Sequence, residues 1–424
     1  MAEIKTRNAW LWVPSLYFAQ GIPYVIVMTM SVVMYKRLGI SNTDIALYTS
    51  WLYLPWVIKP LWSPFVDSTR TKRFWVVLMQ FLVSFGLALV AFSVQGSAFF
   101  KWSLFLFWIM AFASATHDIA ADGFYMLSLS QHEQAWWVGL RSTFYRTAMI
   151  VGSGLLVVLA GTLEKTRPTA GAWSFTLLTA AVLFFGFSCW HSVMLPRPAN
   201  DGPVLTHKSL TGEFFATLGS FFQKPGIIMA LAFILFYRFD EAQLSKVISP
   251  FLLDRRAVGG LGLATSQVGL IYGTFGVLAL TCGGLLGGFA AAKFGLKKVL
   301  PIMVGSMYLP KLAFIFLAFW QPENFLTICG AVAVEQFGYG FGFTAFMLYL
   351  LYFADGPHKT AHYAICTGFM ALGMMIPGMW SGWVADIVGY QHFFVWVSCS
   401  SIPGLVLALR LKIDPQFGKK SAAR

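Results

Sequence analysis

Two aspartates four residues apart, inside a stretch apolar enough to cross a membrane, carry the first chemical signal of this chain. The stretch reads Ser114-Ala115-Thr116-His117-Asp118-Ile119-Ala120-Ala121-Asp122-Gly123. On a helix, residues at that spacing share a face. Two carboxylates held close in a low dielectric resist double ionisation, and such a pair can load and release a proton. His117 beside them is a further titratable group, or a buried imidazole whose hydrogen bonds are met. The alternative for the aspartates is a structural ion pair with Arg146 or another cation. The residues alone leave both readings open. No second histidine stands at a metal-ligand spacing from His117, so zinc is discarded.

Other charges recur where the chain is apolar: Lys59, Arg141, Arg146, Arg238, Lys246 and Lys311 among cations, Asp240, Glu241 and Glu335 among anions. A charge at mid-bilayer costs at least ~2.5–3.5 kcal/mol, so such residues face a protein interior or a wet cavity. Together they imply a polar pathway. Tyr17, Gln20, Gly21 and Tyr24 fall on one helical face, with Pro23 allowing a bend. Their amide and phenols suit the lining of a cavity that reads sugars or peptide amides. Arg238 and Glu241 stand three apart and can pair; Glu335, with Gln336 and Tyr339 nearby, is a further proton-carrying candidate. Asp67, Arg70, Lys72 and Arg73 read as a loop that locks a helix bundle through salt bridges and helix dipoles.

The elements that must position these residues follow from composition. Of 424 residues, 58% are hydrophobic and 11% charged, where a soluble domain carries about a quarter charged residues. Lipid must therefore be the solvent. This excludes a soluble enzyme, a nucleic-acid reader and a disulfide scaffold. The five cysteines lie in apolar runs without a metal-binding spacing. A spanning helix needs about 20 apolar residues, and on that scale the chain predicts an all-α integral membrane protein with about twelve spans. They fall near 10–35, 45–66, 74–94, 99–129, 138–160 and 171–195, then 226–253, 266–292, 297–320, 324–353, 361–386 and 391–411. The expected organisation is a six-helix bundle over 1–195, a polar connection over 196–224 and a second bundle over 225–424. A weak internal echo supports it: PFVDSTRTKRF follows the second span and GFAAAKFGLKK the eighth. Most of the 30 Lys and Arg fall at the termini, in the central connection and on the loops of the same side, so both termini are expected in the cytoplasm. That asymmetry accounts for most of the net charge of +13 without nucleic acid. Gly283, Gly284, Gly287 and Gly288 predict a close-packing seam.

Twelve spans, a central connection and an acidic-basic loop after span two resemble the major facilitator superfamily. A narrower resemblance lies in Lys59-Pro60-Leu61-Trp62-Ser63-Pro64-Phe65-Val66-Asp67, which is similar to the K-x-x-W-x-P-x-x-D segment of the AmpG-type muropeptide permeases, a family related to acetyl-CoA transporters. The span-four stretch resembles that family's S-A-x-Q-D-I-x-x-D-A, Tyr145-Arg146 its Y-R pair, and Glu335 and Thr360-Ala361-His362-Tyr363-Ala364 its later motifs. His117 and His362 stand where glutamine is common. The resemblance implies proton-driven import of anhydro-muropeptides across the bacterial inner membrane, without a cofactor, by a monomer that moves a small molecule through the lipid bilayer. Lys59, Arg146 and Arg238 would meet the peptide carboxylates of such a cargo. The expected substrate contacts are then Tyr17, Gln20, Tyr24, Lys59, Arg146, Arg238, Gln336 and Tyr339. The proton candidates are His117, Asp118, Asp122, Glu241 and Glu335. A transporter of another amphipathic anion — a nucleotide thioester, a sugar or a siderophore — is the second reading. An intramembrane transferase is the third, with no Walker, HExxH or GxSxG motif to support it.

Overall fold

The computed structural model describes residues 8–202, 218–356, 358–415 and 417. The side chain of Asp67 and most of the expected connection, 203–217, lie outside the described residues. The described chain is helical throughout and crosses twelve times. Helix α1 is Ala9–Arg37, α3 Lys72–Ser93, α4 Phe99–Ser128 and α6 Thr169–Met194. Helix α2 is built from Asn42–Trp51 and Leu54–Thr69, and α5 runs over 131–163. In the second half, α7 joins Ile227–Phe236 to Phe239–Leu253. It is followed by α8 Thr265–Phe294, α9 Leu296–Trp320 and α10 Phe325–Ala354. The final 50-residue helical stretch, Ala361–Arg410, crosses twice. Gly389 at φ 76° breaks it into α11 (359–388) and α12 (390–410).

Nine helices among the described residues are long and apolar enough to cross by themselves. Helices α2 and α7 are not among them, because each is interrupted. The interruptions fall at Leu52-Tyr53 and Tyr237-Arg238. Non-helical backbone at membrane depth survives only where protein or a water-filled cavity satisfies it, and both breaks adjoin the cavity described below.

The halves meet along two equivalent seams, α2 against α11 and α8 against α5. Each seam maps onto the other when six is added to or taken from the helix number, as two repeated bundles facing each other require. Helices α1, α5 and α8 each contain a π-helical turn, at Ile26–Met30, Ile150–Leu155 and Gly269–Gly276. Those in α5 and α8 meet backbone to backbone: a Cβ on Gly273 would collide with the Ser153 carbonyl. The predicted glycine seam of α8 packs on α10, where Gly283 and Gly287 face the Phe337 and Phe341 carbonyls. With lipid as solvent, close van der Waals approach of this kind holds helices together.

Candidate functional site

Between the halves lies a cavity of about 870 Å³. Its wall is built by Tyr24 of α1, the break and second part of α2, the last turns of α4, the first half of α5, the α7 break and the first half of α11. It reaches towards the face that carries the α2–α3, α4–α5 and α10–α11 loops.

The two aspartates line it on the N-terminal side, and each has its own cation. Asp118 stands 3.7 Å from Lys59 and accepts from the indole of Trp56 at 3.2 Å. Asp122 stands 3.6 Å from Arg141 and accepts from the Tyr17 hydroxyl at 3.3 Å. Arg141 also donates to that hydroxyl at 3.0 Å and lies over the Tyr17 and Tyr125 rings. The pairing is therefore with Lys59 and Arg141, not with Arg146. Helix α5 turns Arg146 to the other half, where it donates to the Leu280 carbonyl at 3.3 Å. Arg146 is absent from the cavity wall and acts as a bridge across the α5–α8 seam.

His117 faces away from its neighbours. Its Nε2 lies 2.9 Å from Gln80, whose amide oxygen lies 2.9 Å from His191, which in turn meets Ser15 at 2.9 Å. The helix puts His117 on the packed side of α4 because Asp118 and Asp122 take the cavity side. Its assignment to a proton path through the cavity is not supported by this geometry; a buried imidazole with its bonds met describes it.

Among the expected substrate contacts, Tyr24, Lys59 and Arg238 line the cavity, whereas Tyr17 and Gln20 do not. Tyr17 positions the Asp122–Arg141 pair from behind, and Gln20 is buried. Arg238 caps the second part of α7, donates to the Tyr339 hydroxyl and lies 4.8 Å from the Phe343 ring centroid. Tyr339 thus supports Arg238 from α10. Gln336 is buried and donates to Glu335 at 2.8 Å. Trp56, Tyr125, Gln134, Arg141 and Tyr363 also line the cavity. Of these, Arg141 was visible as an intramembrane charge and Tyr363 as part of a motif. The break in α2 that exposes Tyr53 and Trp56 left no local signal beyond Pro55 and Pro60.

Behind the α7 break, the C-terminal half holds a second group of charges. Lys311 lies 2.5 Å from Asp240 and 3.2 Å from Glu241. All three, with Glu335, are buried, and among the described residues Glu335 Oε1 has no hydrogen-bond partner. Asp240 and Glu241 occupy the first turn of a helix, where its dipole favours anions. Arg238 and Glu241 do not form the ion pair that their spacing allows; Lys311 takes Glu241 instead.

The opposite face is closed. Lys36 of α1 pairs with Asp254 at the end of α7, at 2.7 Å. Asn42 and the Thr43 backbone at the start of α2 donate to Asp386 of α11 at 2.8 and 3.1 Å. Glu164 at the end of α5 accepts from Arg37 at 3.2 Å and from Thr265 of α8 at 2.6 Å. The bonds from Lys36, Asn42, Thr43 and Thr265 cross between halves. The loop expected to lock the bundle stands at the other face, and the side chain of its Asp67 lies outside the described residues. The backbone amides of Lys72 and Arg73 donate to Asp201 at 2.6 and 3.1 Å, and the Arg73 side chain reaches the Leu195 and Ser192 carbonyls. Those partners belong to the same half. Arg70 is exposed and lies over the Phe74 ring. A cavity open at one end needs its lock at the other, which is why the closing bonds stand at the far face.

The sequence matches the BT1 family over residues 20–304. It is 26% identical over 402 residues to the anhydromuropeptide permease of Escherichia coli (strain K12), covering 93% of this chain and 78% of that one. It is 25% identical over 414 residues to the putative transporter AmpG 4 of Rickettsia felis, covering 93% and 94%. Solved transporters share the fold. The nucleoside transporter NupG superposes with a TM-score of 0.70 at 14% identity, covering 96% of this chain and 100% of that one. A D-xylose-proton symporter superposes with 0.74 at 10% identity, covering 97% and 99%. The all-α major facilitator fold and the membrane-transporter class expected from the sequence hold.

Proposed function

The chain belongs to the BT1 family, and from that premise we propose that it is a proton-coupled secondary transporter importing anhydro-muropeptides across the bacterial inner membrane by alternating access. The observation that carries this reading is the charge and shape of the cavity. Its volume falls in the range of small-molecule sites. Lys59, Arg141 and Arg238 on its wall outnumber the carboxylates Asp118 and Asp122, so it favours an anion. Tyr24, Trp56, Tyr125 and Tyr363 add aromatic planes, and these suit a sugar face. Peptide carboxylates of the cargo would exchange with Asp118 and Asp122 for the neighbouring cations.

Lysine and arginine asymmetry supports a cytoplasmic location for both termini and for the open face. The connection 196–224 would then be cytoplasmic, and the state described is the one that releases cargo inward. Outward opening requires the bonds of Lys36, Asn42, Thr43 and Glu164 across the halves to break.

Proton coupling is assigned to the buried C-terminal group. Asp118 and Asp122 each have a cation of their own beside them. Lys311 pairs with Asp240 and Glu241, Glu335 is buried and bonded to Gln336, and an uncompensated charge is costly in this setting. One proton on Glu335 relieves that imbalance. The test is uptake of a radiolabelled anhydro-disaccharide tripeptide into proteoliposomes under an inward proton gradient. Accumulation that an ionophore abolishes is the expected result; its absence from folded protein would sink the cargo assignment.

A further inference from the structure

We propose that Lys246 is a further anion-binding residue for the cargo, one that meets it only when the closed face opens. Lys246 lies in the second part of α7 and is 3% exposed. Its ammonium donates to the Thr49 hydroxyl of α2 at 2.9 Å and stands 5.4 Å from the Tyr53 ring centroid. Among the described residues no carboxylate lies within ion-pair distance of it, although Lys59, Arg141 and Lys311 within the same membrane each have one. An ammonium has three donors, and burying one without a counter-ion is among the most expensive arrangements a fold contains. A glutamine or serine would hold Thr49 at far smaller cost. A lysine there therefore has a use that the described conformation does not display.

Position supplies that use. Tyr53 is part of the cavity wall. Lys246 stands on the other side of that ring, toward the closed face, in the contact between α2 and α7. Thr49 belongs to one half and Lys246 to the other. Their bond must break in the same movement that separates Lys36 from Asp254, because all four groups lie on α1, α2 and α7 across one interface. The freed ammonium would then project into the widening vestibule, where Asp254 and Asp386 lie farther out. A carboxylate arriving from that side exchanges with Thr49, and closure behind it hands the anion past Tyr53 to Arg238 and Lys59. The access order explains why Lys246 is screened from the cavity in the described state.

This inference rests on the reading of the cargo as an anion moved by alternating access. The test compares uptake of the anhydro-disaccharide tripeptide with uptake of the same molecule bearing amidated carboxyl groups. Lys246→Gln should raise KM for the acid about tenfold or more, as expected for a lost charge-assisted hydrogen bond, and leave the amide's KM unchanged. Lys246→Arg should restore the acid. Equal losses for both ligands, or an unchanged KM for the acid, overturns the proposal. If the wild-type chain moves neither molecule, the muropeptide reading fails by itself, and exposure decides for Lys246. A Lys246→Cys chain with its five native cysteines replaced is then treated with a membrane-impermeant thiol reagent from each side. Labelling from the closed-face side alone supports the proposal, and no labelling from that side overturns it.

Discussion

The N-terminal half spreads its charges along a cavity wall, whereas the C-terminal half buries them. Asp118–Lys59 and Asp122–Arg141 are separations of 3.7 and 3.6 Å between partly exposed groups. Lys311 and Asp240 are 2.5 Å apart, with side chains 1% and 0% exposed. A wet, loosely matched pair can trade its partner for a ligand at little cost, because water and the ligand both replace what is lost. A dry cluster cannot, and the loss of one member leaves the others uncompensated. On the proposed function, recognition belongs to the first region and coupling to the second.

The largest expected effect tests the dry cluster. Lys311→Met should destabilise the protein by about 3–5 kcal/mol, the cost of breaking a buried pair, read as a fall in melting temperature in detergent or loss of folded protein. Lys311→Met combined with Asp240→Asn should recover part of that loss. A single variant as stable as wild type would show that water reaches the cluster and would erase the contrast.

Next comes the division of labour. Glu335→Gln should abolish gradient-driven accumulation while leaving exchange of labelled for unlabelled cargo. Asp122→Asn should retain coupling and weaken cargo binding about tenfold, by disturbing Arg141. If Asp122→Asn loses accumulation and keeps exchange, the roles of the two halves are reversed.

A smaller effect is expected at the closed face. Lys36→Ala removes a partly exposed ion pair worth up to about 1 kcal/mol, which shifts the balance of the two access states about fivefold toward opening. Thiol labelling of a cysteine placed at position 43 would read that shift. The smallest effect belongs to Arg70→Ala: an exposed side chain on one half should change transport rate less than about twofold. A large loss there would show that this loop locks the opposite access state.

Much of this was legible in sequence because the bilayer is a severe reader. Hydrocarbon thickness sets helix length, so the expected and observed spans agree to within a few residues at most ends. Expense at mid-membrane makes every intramembrane charge conspicuous, so Lys59, Asp118, Asp122, Arg238, Glu241 and Glu335 stood out before any fold was known. The helical repeat put both aspartates on one face, and they line one cavity.

Pairing is another matter. Helical spacing offered Arg238 to Glu241, yet Lys311 took that place, and the sequence offered the aspartate pair Arg146 or another cation, where the structure has Lys59 and Arg141. Partners lying on different helices are chosen by packing, through the glycine contacts of α5 with α8 and the breaks in α2 and α7. The same holds for the locks. Lys36, Glu164, Asp254 and Asp386 sit in short loops or at helix ends, where charge is ordinary, and only the meeting of two halves makes them a gate. Sequence alone determined the class, the spans and which residues carry an unusual electrostatic burden, because those follow from transfer of each residue into lipid. Tertiary structure decided which charges neutralise one another, which face is shut and which ammonium is left without a counter-ion, because those depend on distances between helices that no single helix encodes.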